Sequence, residues 1–259
     1  MRWAAPARLI VRPPSAAFSR ALTVGPNRPD PVAAASQHQA YVAALERAGL
    51  TVHALPASDH PDGCFVEDPV VVLGPAVVRT RSAVASRRGE APAILTALDL
   101  PVWELPPEAT LDGGDVLRVA DRLFVGQSAR TNAAGVAALS ALAARVGLSV
   151  TRLDVPAGLH LKSACSLAGP DWLVYDPRVL SADVLAPIPV ERLAVPEPFG
   201  ANVLALGART LVSAAAPRTA DLLSRRREVE VVDVSALHAA DGALTCLSVR
   251  VPAEGAWAT

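Results

Sequence analysis

The sequence predicts an α/β fold in which five ββαβ units close into a ring. Three observations carry this reading. A strand, a tight turn holding Gly, Pro or Asp, a second strand, a helix and a third strand recur in that order. The turns fall about 40–50 residues apart, the spacing of repeated supersecondary units. The amino-terminal copy lacks its first strand, and the carboxyl-terminal segment Leu244–Val251 can supply it. Pairing the last strand with the first leaves no open sheet edge. An open, doubly wound sheet is the alternative, but it would join its strands through helices rather than tight turns.

In chain order, Leu9–Arg12 leads to a helix from Pro31, capped by Asp30, to Ala48, with Gly49 as its stop and Thr51–Leu55 as the next strand. The second copy is Val70–Leu73, turn Gly74-Pro75, Ala76–Thr80, a helix over Pro92–Leu98 and a strand over Val102–Leu105. The third is Val116–Val119, turn Ala120-Asp121-Arg122, Leu123–Val125, helix Asn132–Val146 closed by Gly147, and Ser149–Leu153. The fourth is Cys165–Leu167, turn Gly169-Pro170-Asp171, Trp172–Tyr175, a weak helix over Ser181–Leu185 and a strand over Arg192–Val195. The fifth is Val203–Leu206, turn Gly207-Ala208, Arg209–Val212, helix Pro217–Arg226 and strand Glu230–Val234. The Pro-rich stretch Ala186–Gly200 reads as an irregular loop around a strand rather than a hinge. Residues 1–259 are therefore expected to form a single domain.

Composition excludes several function classes. Lys and Arg number 24 against 25 Asp and Glu, a net charge of −1, which does not suit a protein held on nucleic-acid phosphates. Mean hydropathy is +0.33, yet no uninterrupted apolar stretch approaches the roughly 18 residues of a membrane span. Arg8 and Arg12 interrupt any apolar export signal. Three cysteines, Cys64, Cys165 and Cys246, are too few and odd in number for a disulfide framework. A reducing cytoplasm is expected, where a cysteine that matters does so as a thiol. Trp3 and Trp257, near the termini, suit either a homodimer interface or ordinary surface.

Pseudo-symmetry brings the segments entering each first strand together on the axis. Those segments carry Asp62, Glu67 and Asp68; Asp112 and Asp115; His160; Asn202; and Cys246. Each has a bland reading. Cys246, like Cys64 and Cys165, suits a small buried hydrophobe. His160 is one of five histidines. Asp112-Gly-Gly-Asp115 suits a turn in which glycines permit close backbone approach. Glu67-Asp68 is harder to dismiss, because Phe65, Val66 and Val70–Leu73 surround it, and buried carboxylates need a partner cation. A metal site from Cys64, His160, Cys165 and Cys246 lacks short paired ligand spacing. Walker loops, glycine fingerprints and nucleophile elbows do not occur.

Taken together, FVEDPVVV, TLDGGDVL, FVGQSARTN, GLHLKSACS and DGALTCLSVRV resemble the dimethylarginine dimethylaminohydrolases across nearly the whole chain. That family belongs to the pentein, or guanidino-group-modifying, superfamily of five-bladed α/β propellers, the same ring reached from the repeats. The resemblance implies Cys246 as nucleophile, His160 as general acid/base and Asp112 as the catalytic carboxylate. It also implies Asp62, Glu67 and Asp68 as substrate-binding acids, with Arg87 and Arg130 holding the substrate α-carboxylate. Arg88 is an adjacent alternative to Arg87. Leu22 matches a lid residue in the segment Pro13–Asn27, and the carbonyl of Ala240 a backbone acceptor.

The implied chemistry is hydrolysis of Nω,Nω-dimethyl-L-arginine to L-citrulline and dimethylamine through a covalent thiouronium. It uses no metal or organic cofactor and acts on a small guanidino molecule. Carboxylates bind a guanidinium edge bidentately, the role expected of Asp68 with help from Glu67. Arginine deiminases and amidinotransferases place an Asp two residues after the catalytic His; here that position is Lys162, which leaves room for methyl groups. Rival readings are another guanidine hydrolase, a Cys-His peptidase and a catalytically silent arginine-binding ring.

Overall fold

The computed structural model describes residues 6–26 and 28–252, whose strands form five three-stranded sheets. The elements in chain order are β1 (Pro6–Val11), α1 (Pro31–Arg47) and β2 (Thr51–Ala54), then β3 (Val70–Val72), β4 (Val77–Arg79), α2 (Pro92–Leu98) and β5 (Val102–Glu104). Next come β6 (Val116–Val119), β7 (Arg122–Gln127), α3 (Ala133–Ala144) and β8 (Ser149–Asp154), followed by α4 (Leu161–Ala164), β9 (Cys165–Leu167), β10 (Trp172–Tyr175) and β11 (Glu191–Ala194). The last are β12 (Leu204–Leu206), β13 (Arg209–Ser213), α5 (Pro217–Ser224), β14 (Glu228–Val232), α6 (Ser235–His238) and β15 (Val249–Pro252).

Local chemistry starts and stops these elements. Asp30 accepts from the backbone N–H groups of Val32 and Ala33, with Pro31 in the first turn of α1. Asn132 caps α3 by accepting from the Gly135 N–H at 2.7 Å. Gly49 and Gly147, just beyond those two helices, adopt φ of +79° and +76°, which only glycine tolerates without strain.

In every sheet the first strand pairs antiparallel with the second and the second parallel with the third. The first sheet has the order β15-β1-β2, so the carboxyl-terminal strand completes the amino-terminal unit. Burial declines outward: β9 and β12 are buried throughout, whereas β2, β5 and β11 are largely exposed. The first strands therefore surround the axis.

The core is divided into wedges between neighbouring units. Ile10, Val249 and Val251 pack on Val70, Val77 and Ile94; Val71 and Val78 on Val116 and Leu139; Leu117 and Phe124 on Cys165 and Leu173. Ala168 and Val174 pack on Val203 and Val212, and Leu204 and Leu211 on Leu9, Tyr41 and Leu45, which closes the ring.

Three expectations need correction. Ser181–Leu185 is not helical: Ala186 and Ile188 donate to the carbonyls of Asp183 and Leu185, forming isolated turns ahead of Pro187 and Pro189. The last strand begins only at Val249, because Leu244–Leu247 is a 3-10 turn. The strand after α5 lies two residues earlier than expected, at Glu228–Val232. Trp3 and Trp257 lie outside the described residues. Among the described residues no helix is long and apolar enough to cross a membrane.

Candidate active site

A cavity of ≈170 Å³ is lined by residues from several of the units. Its wall includes Leu22, Asp62, Asp68, Arg87, Arg130, His160, Ala240 and Cys246, eight of the residues expected from the sequence. They come from segments far apart in the chain, most of them loops and short turns between the named strands and helices.

Cys246 stands in the 3-10 turn before β15, its N–H donating to the Ala243 carbonyl at 3.1 Å and its carbonyl accepting from Glu67 N–H at 3.2 Å. Burial pushes the thiol up to about 12, with Asp68 and Glu67 acting in the same direction. The resting sulfur is therefore protonated. Cys64 and Cys165 are buried inside hydrophobic clusters and do not line the cavity, in keeping with packing.

His160 precedes α4, and the next backbone N–H, of Leu161, donates to Asp115 Oδ1 at 2.8 Å. Its Nε2 lies 3.2 Å from Asp112 Oδ2 and its Nδ1 4.0 Å from Asp68 Oδ1. Burial favours the neutral ring, but Asp68, the Asp112 hydrogen bond and Asp115 more than offset it and raise the imidazole above its ordinary value. Asp112 is fully buried behind His160 rather than on the cavity wall.

Asp68 is anchored from several sides. Its Oδ1 accepts from Gly114 N–H at 3.0 Å and its Oδ2 from Arg87 Nη1 at 2.7 Å. Burial opposes its ionisation, but His160 and Arg87 hold the carboxyl down to about 2.

Two sequence expectations about binding groups change. Glu67 is not on the wall. Its carboxylate accepts from Lys162 Nζ at 2.5 Å and from Thr245 Oγ1 at 3.0 Å, directly behind the Cys246 turn. Asn202 completes this network by accepting from Thr245 N–H and donating to the Lys162 carbonyl. Lys162 and Glu67 thus both lie off the cavity wall, paired with each other. Arg87, expected to hold a carboxylate, faces the cavity but already bridges Asp68 and Glu90, donating from Nε and Nη2 to Glu90. Arg88 turns elsewhere, donating to the Ser82 carbonyl at 3.0 Å.

Arg130 offers the more available guanidinium. Ser128 and Thr131 both donate to Asp115 and fix its loop, while Arg130 Nη1 is buried, makes no hydrogen bond and lies 3.8 Å from Asp112. The lid segment is tied down at two points: Leu22 N–H donates to Asp62 Oδ1 at 3.1 Å, and Val24 N–H to Asp241 Oδ2 at 2.8 Å. Asp241 holds φ of +57°, unusual for a non-glycine residue.

The sequence reading did not single out Glu90 or Asp241. Glu90 had a legible signal, its three-residue spacing from Arg87 across a helical turn. Asp241 had none, since its partner Val24 is 217 residues away.

Asp68, Asp112 and His160 bring possible metal-ligating atoms within 4.8 Å of one another. Arg87 and Arg130 already set positive charge against the two carboxylates, which makes this donor set a poor one for a divalent ion.

No family model matches the chain. It is 40% identical over 255 residues to the N(G),N(G)-dimethylarginine dimethylaminohydrolase of Streptomyces coelicolor, covering 94% of this chain and 96% of that one. The same-named protein of Pseudomonas aeruginosa is 30% identical over 250 residues, covering 93% and 98%. A solved structure of the Pseudomonas aeruginosa protein, a Cys-to-Ser mutant complexed with citrulline, superposes with a TM-score of 0.88 at 29% identity, covering 95% of this chain and 99% of the other. The N-terminal domain of ArgZ, at 21% identity and a TM-score of 0.83, shares the fold.

Proposed function

The chain belongs to the dimethylarginine dimethylaminohydrolase family, and from that premise we propose that it hydrolyses Nω,Nω-dimethyl-L-arginine to L-citrulline and dimethylamine as a single catalytic domain. One observation carries the reading: a thiol, a carboxylate-bound imidazole and a buried anionic carboxylate, Cys246, His160 and Asp68, face one cavity. That set suits attack on a cationic, planar carbon.

Asp68 holds the substrate guanidinium by its N–H edge, and Arg130, with its buried Nη1 unbonded, takes the α-carboxylate. The Ala240 carbonyl and Asp62 face the remaining polar end of the substrate, with Leu22 above. The bound cation lowers the Cys246 thiol, which loses its proton to solvent. The thiolate attacks the central guanidinium carbon, and His160, protonated beside Asp112, donates to the departing dimethylamine nitrogen. A thiouronium on Cys246 remains. Neutral His160 then takes a proton from water, and the resulting hydroxide adds to the same carbon. Collapse expels the sulfur as thiolate, the adduct's hydroxyl proton passes to it and restores the Cys246 thiol, and citrulline is released.

A reducing compartment, the cytoplasm, is the location proposed, since Cys246 must stay a thiol for this chemistry. The homodimer reading rests on Trp3 and Trp257, and sedimentation velocity decides it.

The deciding experiment is citrulline formation across dimethylarginine, monomethylarginine and arginine, with ureido-product formation from agmatine in parallel. Dimethylarginine is expected to show the highest kcat/KM. Faster ammonia release from arginine than dimethylamine release from dimethylarginine, at equal concentration, would overturn the assignment. Cys246→Ser should abolish turnover while retaining substrate binding; unchanged function in that variant would identify a binding protein instead.

A further inference from the structure

Arg87 poses an electrostatic problem for a site that must hold a cation. Its Nη1 lies 2.7 Å from Asp68 Oδ2, so a positive charge already sits on the carboxylate that faces the guanidinium position. Taken alone, the pair Arg87–Asp68 carries no net charge and would give a cationic ligand little attraction.

Glu90 resolves this. Its side chain is 1% exposed and stands on the opposite edge of the Arg87 guanidinium, 2.8 Å from Nη2, with Nε donating at 3.1 Å. The result is a row of alternating charge through the buried floor: Glu90, Arg87, Asp68, His160 and Asp112. Glu90, Arg87 and Asp68 together carry one negative charge, matched to one guanidinium. The bidentate contact also spends the Nε–H and one Nη2–H on Glu90, which fixes the plane of Arg87 and hence the direction of Asp68. The backbone holds Glu90 in place: Arg12, itself buried, donates from Nη1 to the carbonyls of Glu90 and Gly63.

We infer that Glu90 is a positioning residue for the cation clamp: it absorbs the charge and fixes the orientation of Arg87, so that Asp68 faces the substrate guanidinium as a net anion. The groups facing Glu90 are Arg87, Arg12, Asp62, Asp68 and Cys64. Burial, the largest influence, pushes its carboxyl up to about 7 against the pull of Arg87, so the test belongs at pH 8, where the charge is present.

The inference rests on the guanidine-binding reading, and ligand charge separates the two. In a Cys246→Ser background, which stops turnover, calorimetry gives the Kd of cationic dimethylarginine and of neutral citrulline. Both carry the same α-amino and α-carboxylate groups, so damage to the rest of the pocket moves both. Adding Glu90→Gln is expected to weaken dimethylarginine by roughly tenfold or more and citrulline by less than about threefold. Glu90→Asp, which keeps the charge, should preserve most of the wild-type ratio. Equal weakening of both ligands, or of neither, overturns the role of Glu90. Failure of the Cys246→Ser protein to bind either ligand overturns the guanidine reading itself. Should Glu90→Gln not fold, the double variant Arg87→Met/Glu90→Gln removes both buried charges at once. It leaves Asp68 anionic and is expected to keep the preference for the cation; loss of that preference counts against the inference.

Discussion

At the residue scale, the site works by setting charges against one another. Asp68 and Asp112 flank His160 at 4.0 and 3.2 Å and raise the imidazole above its ordinary value against its burial, while burial, Asp68 and Glu67 push the Cys246 thiol up. Since the folded value of His160 is raised, its stabilisation is fully present below about pH 6.5 and is lost as pH rises through the folded value. Replacing Asp112 with Asn removes the negative charge beside Nε2 and leaves only a neutral amide oxygen to accept there. The basic limb of the kcat profile is expected to move down by about one pH unit or more, and the His160 resonances in NMR titration should move with it. An unmoved limb would mean that Asp112 does not govern the His160 proton. The residue types were legible in the sequence, because acids amid Phe65, Val66 and Val70 have no innocent reason to be buried. Their partners were not. That Glu67 pairs with Lys162, and Arg87 with Glu90, depends on where side chains of 16% exposure or less find counter-charges.

At the element scale, short turns rather than helices do the positioning. The Gly113-Gly114 turn lets three segments meet. A Cβ on Gly113 would stand 2.1 Å from the Glu67 carbonyl oxygen and 2.8 Å from that of Val70, both backbone atoms. One on Gly114 would stand 2.7 Å from His160 Nδ1 and 2.8 Å from Asp68 Oδ1. Gly113→Ala is therefore expected to destabilise the fold by about 3 kcal/mol, seen in thermal or denaturant unfolding. Gly114→Ala should cost less stability but lower kcat/KM by roughly a hundredfold, because it shifts reacting groups. The reverse ranking would show that the turn does not divide its two glycines this way. Close backbone approach was readable from the Gly pair; what approached it was not. The helix expected at Ser181–Leu185 did not form although Ser181 Oγ accepts from the Val184 N–H, since its few residues run into Pro187 and Pro189.

At the scale of the molecule, the ring depends on one antiparallel pairing, β1 with β15, with Leu9 opposite Arg250 and Ile10 opposite Val249. Val249 and Val251 fill the wedge between the first and second units, and their burial stabilises by roughly 3–6 kcal/mol together. Truncation after Ser248 removes that strand, exposes the edge of β1 and opens the wedge. The expected outcome is loss of cooperative thermal unfolding, accompanied by aggregation in light scattering. A truncated chain that unfolds at the wild-type temperature would mean the ring does not rely on this closure.

The sequence by itself determined the repeat, the ring and the chemical types gathered on the axis, because periodic apolar strands and turn residues are local signals. It also determined the fate of Lys162 in part, as a cation where a second carboxylate was expected. Only the tertiary structure decided which carboxylates face the cavity, which are turned toward lysine or arginine, and which carboxylate tethers Val24. Those outcomes depend on charge pairing and hydrogen bonding between segments up to 217 residues apart, and no local pattern encodes a distance in space.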